Sequence, residues 1–213
     1  ASDVSAPTSD RTLRVSGDGI AAGDTTALTT SDTLGYRHIV ELLAFAKDNY
    51  IRGIRFNGNQ EMFHMFVTPK MMKNLKLDAD FLANVRNAGV RGDKNPLFAG
   101  SNSIYVDGVL IHEFRHVFSN EMATTGTSSE AGSAGYKWGA NADVVGGRAL
   151  FCGAQALAMA DIGNATFDEE EFDYKNSPGI SIGKIFGFRK PVLKSQVSGS
   201  NQDFGVITLD TAI

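Results

Sequence analysis

The chain has 213 residues, of which 42% are hydrophobic and 21% are charged, a composition typical of a folded globular protein. Its net charge of −4 argues against a basic nucleic-acid-binding surface, and its single cysteine, Cys152, excludes an internal disulfide and favours cytoplasmic synthesis. The longest apolar run, residues 149–160, is too short to cross a membrane, and we expect no signal peptide.

The first third of the chain predicts an arm followed by a helix. Residues 1–30 are rich in Ser, Thr, Asp, Gly and Ala with little periodicity, which indicates a flexible arm or loop end outside the core. Apolar residues at spacings of three and four then predict a helix over about 32–49, with Ser31 or Asp32 as its N-cap. This apolar stripe comprises Leu34, Ile39, Leu42, Leu43 and Ala46.

The middle of the chain predicts a hairpin and two short helices. Two β-rich runs flank Asn57-Gly58, a pair typical of tight hairpin turns. Thr68 as N-cap and Pro69 at the first helical position open one helix. A second short helix follows and ends at Gly89 as its C-terminal cap.

From Ser103 onward β-forming residues dominate, and Asp107-Gly108 predicts a second hairpin turn. Residues 119–142 are small and polar and predict a long loop. Residues 149–161 predict a buried strand that continues into a short helix, and two strands are expected near the end of the chain. The pattern as a whole predicts an α+β fold.

The stretch from His112 to His116 reads H-E-x-x-H, the zinc-binding sequence of metalloproteases. In those enzymes both histidines bind one ion from the same face of a helix. In a strand, four residues span about 13 Å, so the two imidazoles do not reach one ion. The secondary structure of this stretch therefore decides between a zinc site and a coincidence.

Most features of this stretch favour a strand. The turn at Asp107-Gly108 lies between β-rich runs, residues 104–118 contain no Ala, Lys or Gln, and Arg115 would place a cation beside the metal. In a strand, side chains alternate between the two faces. We therefore expect Glu113 to share a face with Arg115, and the remaining residues to share the other. These are His112, Phe114 and His116.

The zinc alternative keeps some support. No histidine follows at the extended metzincin spacing, but three carboxylates remain as candidate third ligands. Three apolar residues also recur at helical spacing through the stretch. The candidate ligands are Glu121, Glu130 and Asp143, and the apolar residues are Leu110, Phe114 and Val117.

No other pattern predicts a catalytic, cofactor or metal site. Arg91-Gly92-Asp93 and the sequon at Asn164 have meaning only in a secreted protein, and the glycines lack phosphate-loop spacing. His64 is expected to be a core or interface histidine, and Cys152 a buried small hydrophobe. The acidic run 168–173 predicts a solvated loop, with a salt-bridging or divalent-ion contact to a neighbouring subunit as the alternative.

One further succession of patterns lies in the middle of the chain. It consists of a proline-opened helix, a second short helix, N-P-L-F-x-G, and a strand ending in H-E. The residues that carry it are Pro69, Asn95-Pro96-Leu97-Phe98, Gly100, Tyr105, Gly108 and His112-Glu113. With later segments at 149–160 and 203–212, the chain resembles the major capsid proteins of tailed bacteriophages, most closely the Enquatro-like podoviruses.

The resemblance implies the shell fold of the Hong Kong ninety-seven type, which has a peripheral domain with a long spine helix and an axial domain. On this basis we expect residues 1–30 to be a flexible arm or loop end and 31–60 a peripheral domain with the spine helix. Residues 61–165 would be mainly axial, and 166–213 would return to the peripheral sheet. Family members have a longer segment before the spine helix than the 31 residues here, so we expect the C-terminal part of such a protein.

The resemblance also implies a structural role without a cofactor. Subunits would form hexamers and pentamers that close into an icosahedral shell around phage DNA, without sequence-specific binding and without a membrane. Decoration, scaffold and portal proteins would be partners, and the loops at 89–101 and 119–142 would make contacts. Assembly would take place in the cytoplasm of the bacterial host, and the final location would be the virion.

Two alternatives from other classes of protein remain at this point. One is a zinc-dependent metallohydrolase that uses His112, Glu113 and His116. The other is a monomeric module that decorates a preformed capsid.

Overall fold

Strands from distant parts of the chain form one central sheet. The computed structural model describes residues 8–56, 60–87, 103–194 and 199–213. The sheet strands are β1 Thr12–Ser16, β2 Gly19–Ala22, β3 Ile54–Phe56, β4 Gln60–Val67, β5 Ser103–Val106, β6 Val109–Glu113, β7 Gly146–Cys152 and β14 Val206–Ala212. The order is β2-β1-β14-β7-β4-β6-β5, and β3 also pairs with β4. The predicted α+β class is therefore confirmed.

Three helices cover one face of this sheet. They are α1 Tyr36–Asp48, α2 Pro69–Leu77 and α3 Ala79–Asn87. Alternate residues of β4, namely Phe63, Met65 and Val67, are fully buried beneath them. The helices contribute Ile39, Leu42, Leu43, Ala46, Met71, Met72, Leu75 and Phe81 to the same apolar cluster. In the described part of the chain, no helix is long and apolar enough to cross a membrane.

The beginning of the chain is part of the core, so the expectation of a flexible arm over residues 1–30 was wrong for the described residues from 12 onward. Strand β1 pairs in parallel with β14, and β2 pairs with β1 through a two-residue turn at Gly17-Asp18. Val15 has no exposed surface, and Leu13 is buried in the same cluster. Gly17 has φ +58°, which suits the first position of a type II′ turn.

All four segments expected from the resemblance meet in this core. Val15, Leu42, Met65 and Leu209 come from one segment each and belong to one apolar cluster. The boundaries at 31, 61 and 166 therefore do not separate independent cores. The assignment of segments to peripheral and axial domains of a shell stays a prediction.

Helix α1 confirms the predicted helix at 32–49, but its cap differs. The helix begins after Gly35, whose backbone N–H donates to Nδ1 of His38 over 2.9 Å, and the N–H of Tyr36 donates to Asp78 over 3.0 Å. Asp32 instead accepts hydrogen bonds from the backbone N–H groups of Gly17 and Thr29. The expected N-cap was wrong because tertiary partners occupy Asp32.

The second helical region agrees with the sequence. Thr68 accepts a hydrogen bond from the N–H of Met71 over 3.3 Å, and Pro69 occupies the first turn of α2. The turn at Asp107-Gly108 joins β5 to β6, and both residues have positive φ, as a tight hairpin requires. The turn at Asn57-Gly58 and the cap at Gly89 lie outside the described residues.

The chain between β7 and β14 forms a long two-stranded ribbon, which we define as residues 158–194. It contains β8 Ala158–Asp161, β9 Thr166–Phe172, β10 Ser177–Gly183, β11 Phe186–Arg189 and β12 Val192–Lys194. Strand β8 pairs with β11, β9 pairs with β10, and the short strand β13 Asn201–Asp203 closes the root by pairing with β12. Strands β8 and β9 contain eleven residues, about 36 Å of extended chain, with a bend at residues 162–165 between them.

Two sequence predictions were wrong within this ribbon. The expected helix after the buried strand β7 is absent from the described residues 153–161, where β8 pairs with β11 instead. The acidic run was expected to be a loop, but Asp168 to Phe172 lie in β9. The late strands were predicted in the correct places: β11 lies in the expected segment 184–193, β12 overlaps the end of that segment, and β14 overlaps the expected segment 203–210.

A buried ion pair joins β7 to β14. Nε and Nη2 of Arg148 donate to the two carboxylate oxygens of Asp210 over 2.6 and 2.8 Å. Asp210 has no exposed surface, and burial raises the pKa of its carboxyl group while Arg148 lowers it. Breaking a buried pair by removing one partner typically costs about 3–5 kcal/mol, because the other charge stays buried.

We expect Arg148→Leu to lower the free energy of unfolding by about 3 kcal/mol at pH 7, measured by urea denaturation. The matched control is Arg37→Leu, whose ion pairs with Asp18 and Asp80 are exposed to solvent and contribute little to stability. Because the folded-state pKa of Asp210 is raised, lowering the pH protonates this group first in the folded chain, so the Arg148→Leu deficit should shrink in acid. Equal losses for the two variants would contradict this account.

Candidate functional site

The H-E-x-x-H stretch does not form a helix. His112 and Glu113 end strand β6, and Arg115-His116 form a turn immediately after it. The ring of His116 lies edge-on to Phe114, 5.4 Å between centroids. The described residues contain no group of three His, Cys, Asp or Glu side chains that would hold a metal. The expected strand is confirmed up to Glu113, and the predicted shared faces beyond it were wrong because the chain turns.

His112 pairs with another histidine across the sheet. Strands β4 and β6 run parallel, and Nε2 of His112 lies 2.9 Å from Nδ1 of His64. The ring of Phe66 stacks on His112 with centroids 5.2 Å apart. Burial, and then the neighbouring His64, lower the pKa of His112. One ring nitrogen of each histidine is therefore engaged in this bond on the sheet face opposite the helices, where β4 places His64 and Phe66.

Cys152 lies beside this histidine pair in β7, in register with His64. Burial raises the pKa of its thiol to about 11, so the thiol stays protonated and a poor nucleophile at neutral pH. This matches the expectation of a small packed side chain. The cysteine and the histidines do not form a nucleophile and base.

The long loop at 119–142 has an ordered path and an aromatic groove. Its backbone forms bridges between Thr124 and Tyr136 and between Trp138 and Val144. The guanidinium of Arg148 lies 5.9 Å from the ring centres of both Phe118 and Trp138. The groove beside them has a volume of about 440 Å³. Neighbouring Met122 is almost completely exposed.

The ribbon carries the most prominent exposed apolar surface. Large apolar side chains on both of its strands are more than half exposed, whereas soluble monomers keep such surface scattered. They include Met159, Phe167, Ile180, Ile182, Phe186 and Phe188. An isolated two-stranded ribbon is marginally stable in water. A ribbon of this composition indicates a surface that is covered in an assembly.

The exposed apolar surface of the ribbon was not predicted from the sequence. The signal was the alternation of large residues with Gly or Ser from Pro178 to Phe188, which is typical of a strand with one apolar face. The other residues singled out from the sequence are Arg91-Gly92-Asp93, Asn95 to Phe98, Gly100 and the loop 89–101, and they lie outside the described residues. Asn164 lies in the ribbon between β8 and β9.

The histidine pair generates a test of both zinc binding and pH response. After dialysis, we expect mass spectrometry to find less than one zinc ion per chain. The zinc content of His112→Asn should be the same. Since the pKa of His112 is lowered by folding, its contribution to stability is present above the usual histidine pKa and is lost as the pH falls through the lowered value. His112→Asn should therefore flatten the stability profile between about pH 7 and 5. His116→Asn, in the exposed turn, is the control for the stability profile. In the zinc measurement, one bound zinc ion per chain that disappears in His112→Asn would contradict this account.

Comparisons with known proteins agree with the fold. A family model described as phage capsid protein matches residues 1–213. The major capsid protein of Pseudomonas phage KPP25 is 46% identical over 216 residues, which cover 100% of this chain and 55% of that protein. The chain thus spans about half the length of the curated relative it matches.

Solved capsids share the fold at low sequence identity. The capsid of cyanophage Pam1 matches with a TM-score of 0.66 and 19% identity over 95% of this chain and 54% of that one. The capsid of Ralstonia phage GP4 matches with a TM-score of 0.58 and 22% identity, covering 97% of this chain and 53% of that one. The family model matches the whole chain, and the 46% identical relative agrees with it. The chain therefore belongs to the phage capsid protein family.

Proposed function

We propose that this chain is part of a major capsid protein whose copies form the icosahedral shell enclosing phage DNA. The observation that carries the proposal is the 46% identity to a major capsid protein along the entire chain. At this level of identity both the fold and the surfaces used for assembly are expected to be retained. The exposed apolar ribbon supports the proposal because a shell subunit must bury surface against its neighbours.

The subgroup and the shell type are part of the proposal. The sequence patterns from Pro69 to Glu113 favour the Enquatro-like podovirus group and a shell of the Hong Kong ninety-seven type. Helix α1 would be the spine helix of a peripheral domain, although its 13 residues are about 20 Å long. The sheet around β4 and β6 would then contribute to the axial domain.

The proposed assembly consists of hexamers and pentamers joined by heterologous contacts. Decoration, scaffold and portal proteins would be its partners, and assembly would occur in the host cytoplasm. A net charge of −4 suits a container that holds DNA without binding it tightly, because DNA affinity depends on cationic contacts to phosphate. The loop at 119–142, with its aromatic groove, is a second surface suited to contacts between subunits.

The geometry of the described residues does not support the zinc-dependent alternative. His112 is bonded to His64, and His116 lies in a turn beside Phe114. A monomeric decoration module would leave the apolar ribbon exposed in the free protein, which favours insolubility. A structural subunit that buries this ribbon in a shell is the simpler account.

The test uses the complete protein, expressed and analysed by sedimentation and negative-stain electron microscopy. We expect megadalton shells with capsomer texture from the parent protein. Ile180→Ser with Ile182→Ser should reduce the yield of shells at least tenfold, because burying each such side chain contributes roughly 1.5–3 kcal/mol. The melting temperature of unassembled subunits should change little, since both side chains are more than 60% exposed.

The matched control is Leu77→Ser with Tyr50→Ser, which removes two exposed large side chains from the body of the subunit, outside both the ribbon and the loop at 119–142. It should assemble like the parent. A parent protein that stays monomeric under all conditions would refute the proposed function. Normal shells from the Ile180→Ser, Ile182→Ser variant would show that the apolar ribbon does not contribute to shell assembly.

A further inference from the structure

The ribbon is electrostatically divided along its length. Its distal half, residues 166–183, carries five carboxylates and one lysine, a net charge of −4. Its root, residues 158–165 and 184–194, carries one carboxylate and four basic residues, a net charge of +3. An object with opposite charges at its two ends is complementary to a second copy of itself in the antiparallel orientation.

The apolar residues of the ribbon are concentrated on one face. Residues 178–188 belong to the strand of the ribbon that returns to the body. Every other residue of this stretch is large and apolar, except Lys184, and the residues between them are mostly Gly and Ser. The first set comprises Pro178, Ile180, Ile182, Lys184, Phe186 and Phe188, and the second comprises Gly179, Ser181, Gly183, Ile185 and Gly187. Phe167 lies opposite Ile182, and Met159 opposite Phe188, so the other strand adds to the same face. This apolar face runs from the acidic half into the basic root.

We propose that the ribbons of two copies of this chain pack antiparallel, apolar face against apolar face, around a local two-fold axis near Lys184. In this register Ile182 of one copy faces Phe186 of the other, and Ile180 faces Phe188. Sheets packed face to face lie about 10 Å apart, which suits these side chains. The pairing deepens the proposed function, because it identifies one contact between shell subunits.

The charges follow the same register. Glu169 is paired across the ribbon with Ile180, so it comes level with Phe188 of the second copy, next to Arg189 on the opposite face of that strand. Glu171 is paired with Pro178, so it comes level with Lys190, which also pairs with Asp203 of its own chain over 2.7 Å. At the axis, each Lys184 is neutralised by Asp161 of its own ribbon, 2.8 Å away. The acidic half of each ribbon therefore lies along the basic root of the other.

Other arrangements are disfavoured by the same charges. A parallel pair would place five carboxylates of one copy against five of the other. Edge-to-edge pairing through β9 would bring together Asp168, Glu169, Glu170 and Glu171 from both copies, and like charges on an edge prevent such pairing. The antiparallel face-to-face pair avoids both repulsions and covers the apolar residues.

Cysteine cross-linking of the complete protein tests this register, in a Cys152→Ala background with a short bismaleimide. Lys184→Cys lies at the proposed axis and should cross-link to itself between copies. Ile180→Cys and Phe188→Cys should each give at least tenfold less dimer alone, because equivalent positions are about 26 Å apart in the antiparallel pair. The double variant Ile180→Cys, Phe188→Cys should recover the dimer.

Cross-linking is measured separately in pelleted shells and in the soluble fraction. Self-linking of Ile180→Cys as strong as that of Lys184→Cys would indicate a parallel pair and overturn the proposal. Shells in which no variant cross-links would overturn the pairing and leave the proposed function intact. Cross-linking as expected with no shells at all would support the pairing and refute the proposed function. No cross-linking in either fraction would overturn the pairing whatever assembles.

Discussion

The placement of β14 in the middle of the sheet is the constraint on which the rest of the structure depends. This strand near the end of the chain lies between β1, which precedes helices α1 to α3, and β7. Asp210 is buried at this junction and is held by both nitrogens that Arg148 directs at it. The backbone ladder of β14 thus joins the beginning, middle and end of the chain into one body. The ribbon leaves this body after β7 and returns just before β14.

This arrangement separates two kinds of surface. The body buries most of its own apolar residues, because the helices cover one face of the sheet and fill the core with Met71, Met72 and Leu75. The ribbon does not, because a two-stranded element has too few neighbours to bury its own side chains. The subunit therefore folds around β14, and in the proposed shell the ribbon is covered by other copies. In this account the body determines the stability of the subunit, and the ribbon contributes to its assembly.

Local patterns predicted the elements whose cause is local. The periodicity of α1, the Thr68-Pro69 helix start and the Asp107-Gly108 turn are each determined within a few residues. The misses have distant causes. Asp32 does not cap α1 because Gly17 engages it, and Asp78 supplies the hydrogen bond to Tyr36 from 42 residues away. Strand β1 was missed because its pairing with β14 joins residues almost 200 positions apart.

The candidate site shows the same division. The sequence predicted correctly that His112 lies in a strand, but His64 as its partner depends on the parallel register of β4 and β6, which no local pattern indicates. The ribbon was missed because Ala-rich and Glu-rich segments have weak β propensity. Only pairing with β10 and β11 makes β8 and β9 strands.

The central claim is that the ribbon is exposed in the single subunit and covered in the shell. Hydrogen–deuterium exchange followed by mass spectrometry on the complete protein, before and after assembly, tests it most directly. The account predicts that residues 166–183 exchange fast in subunits and at least tenfold more slowly in shells, while 206–212 exchange slowly in both. Equally fast exchange of residues 166–183 in subunits and shells would contradict it.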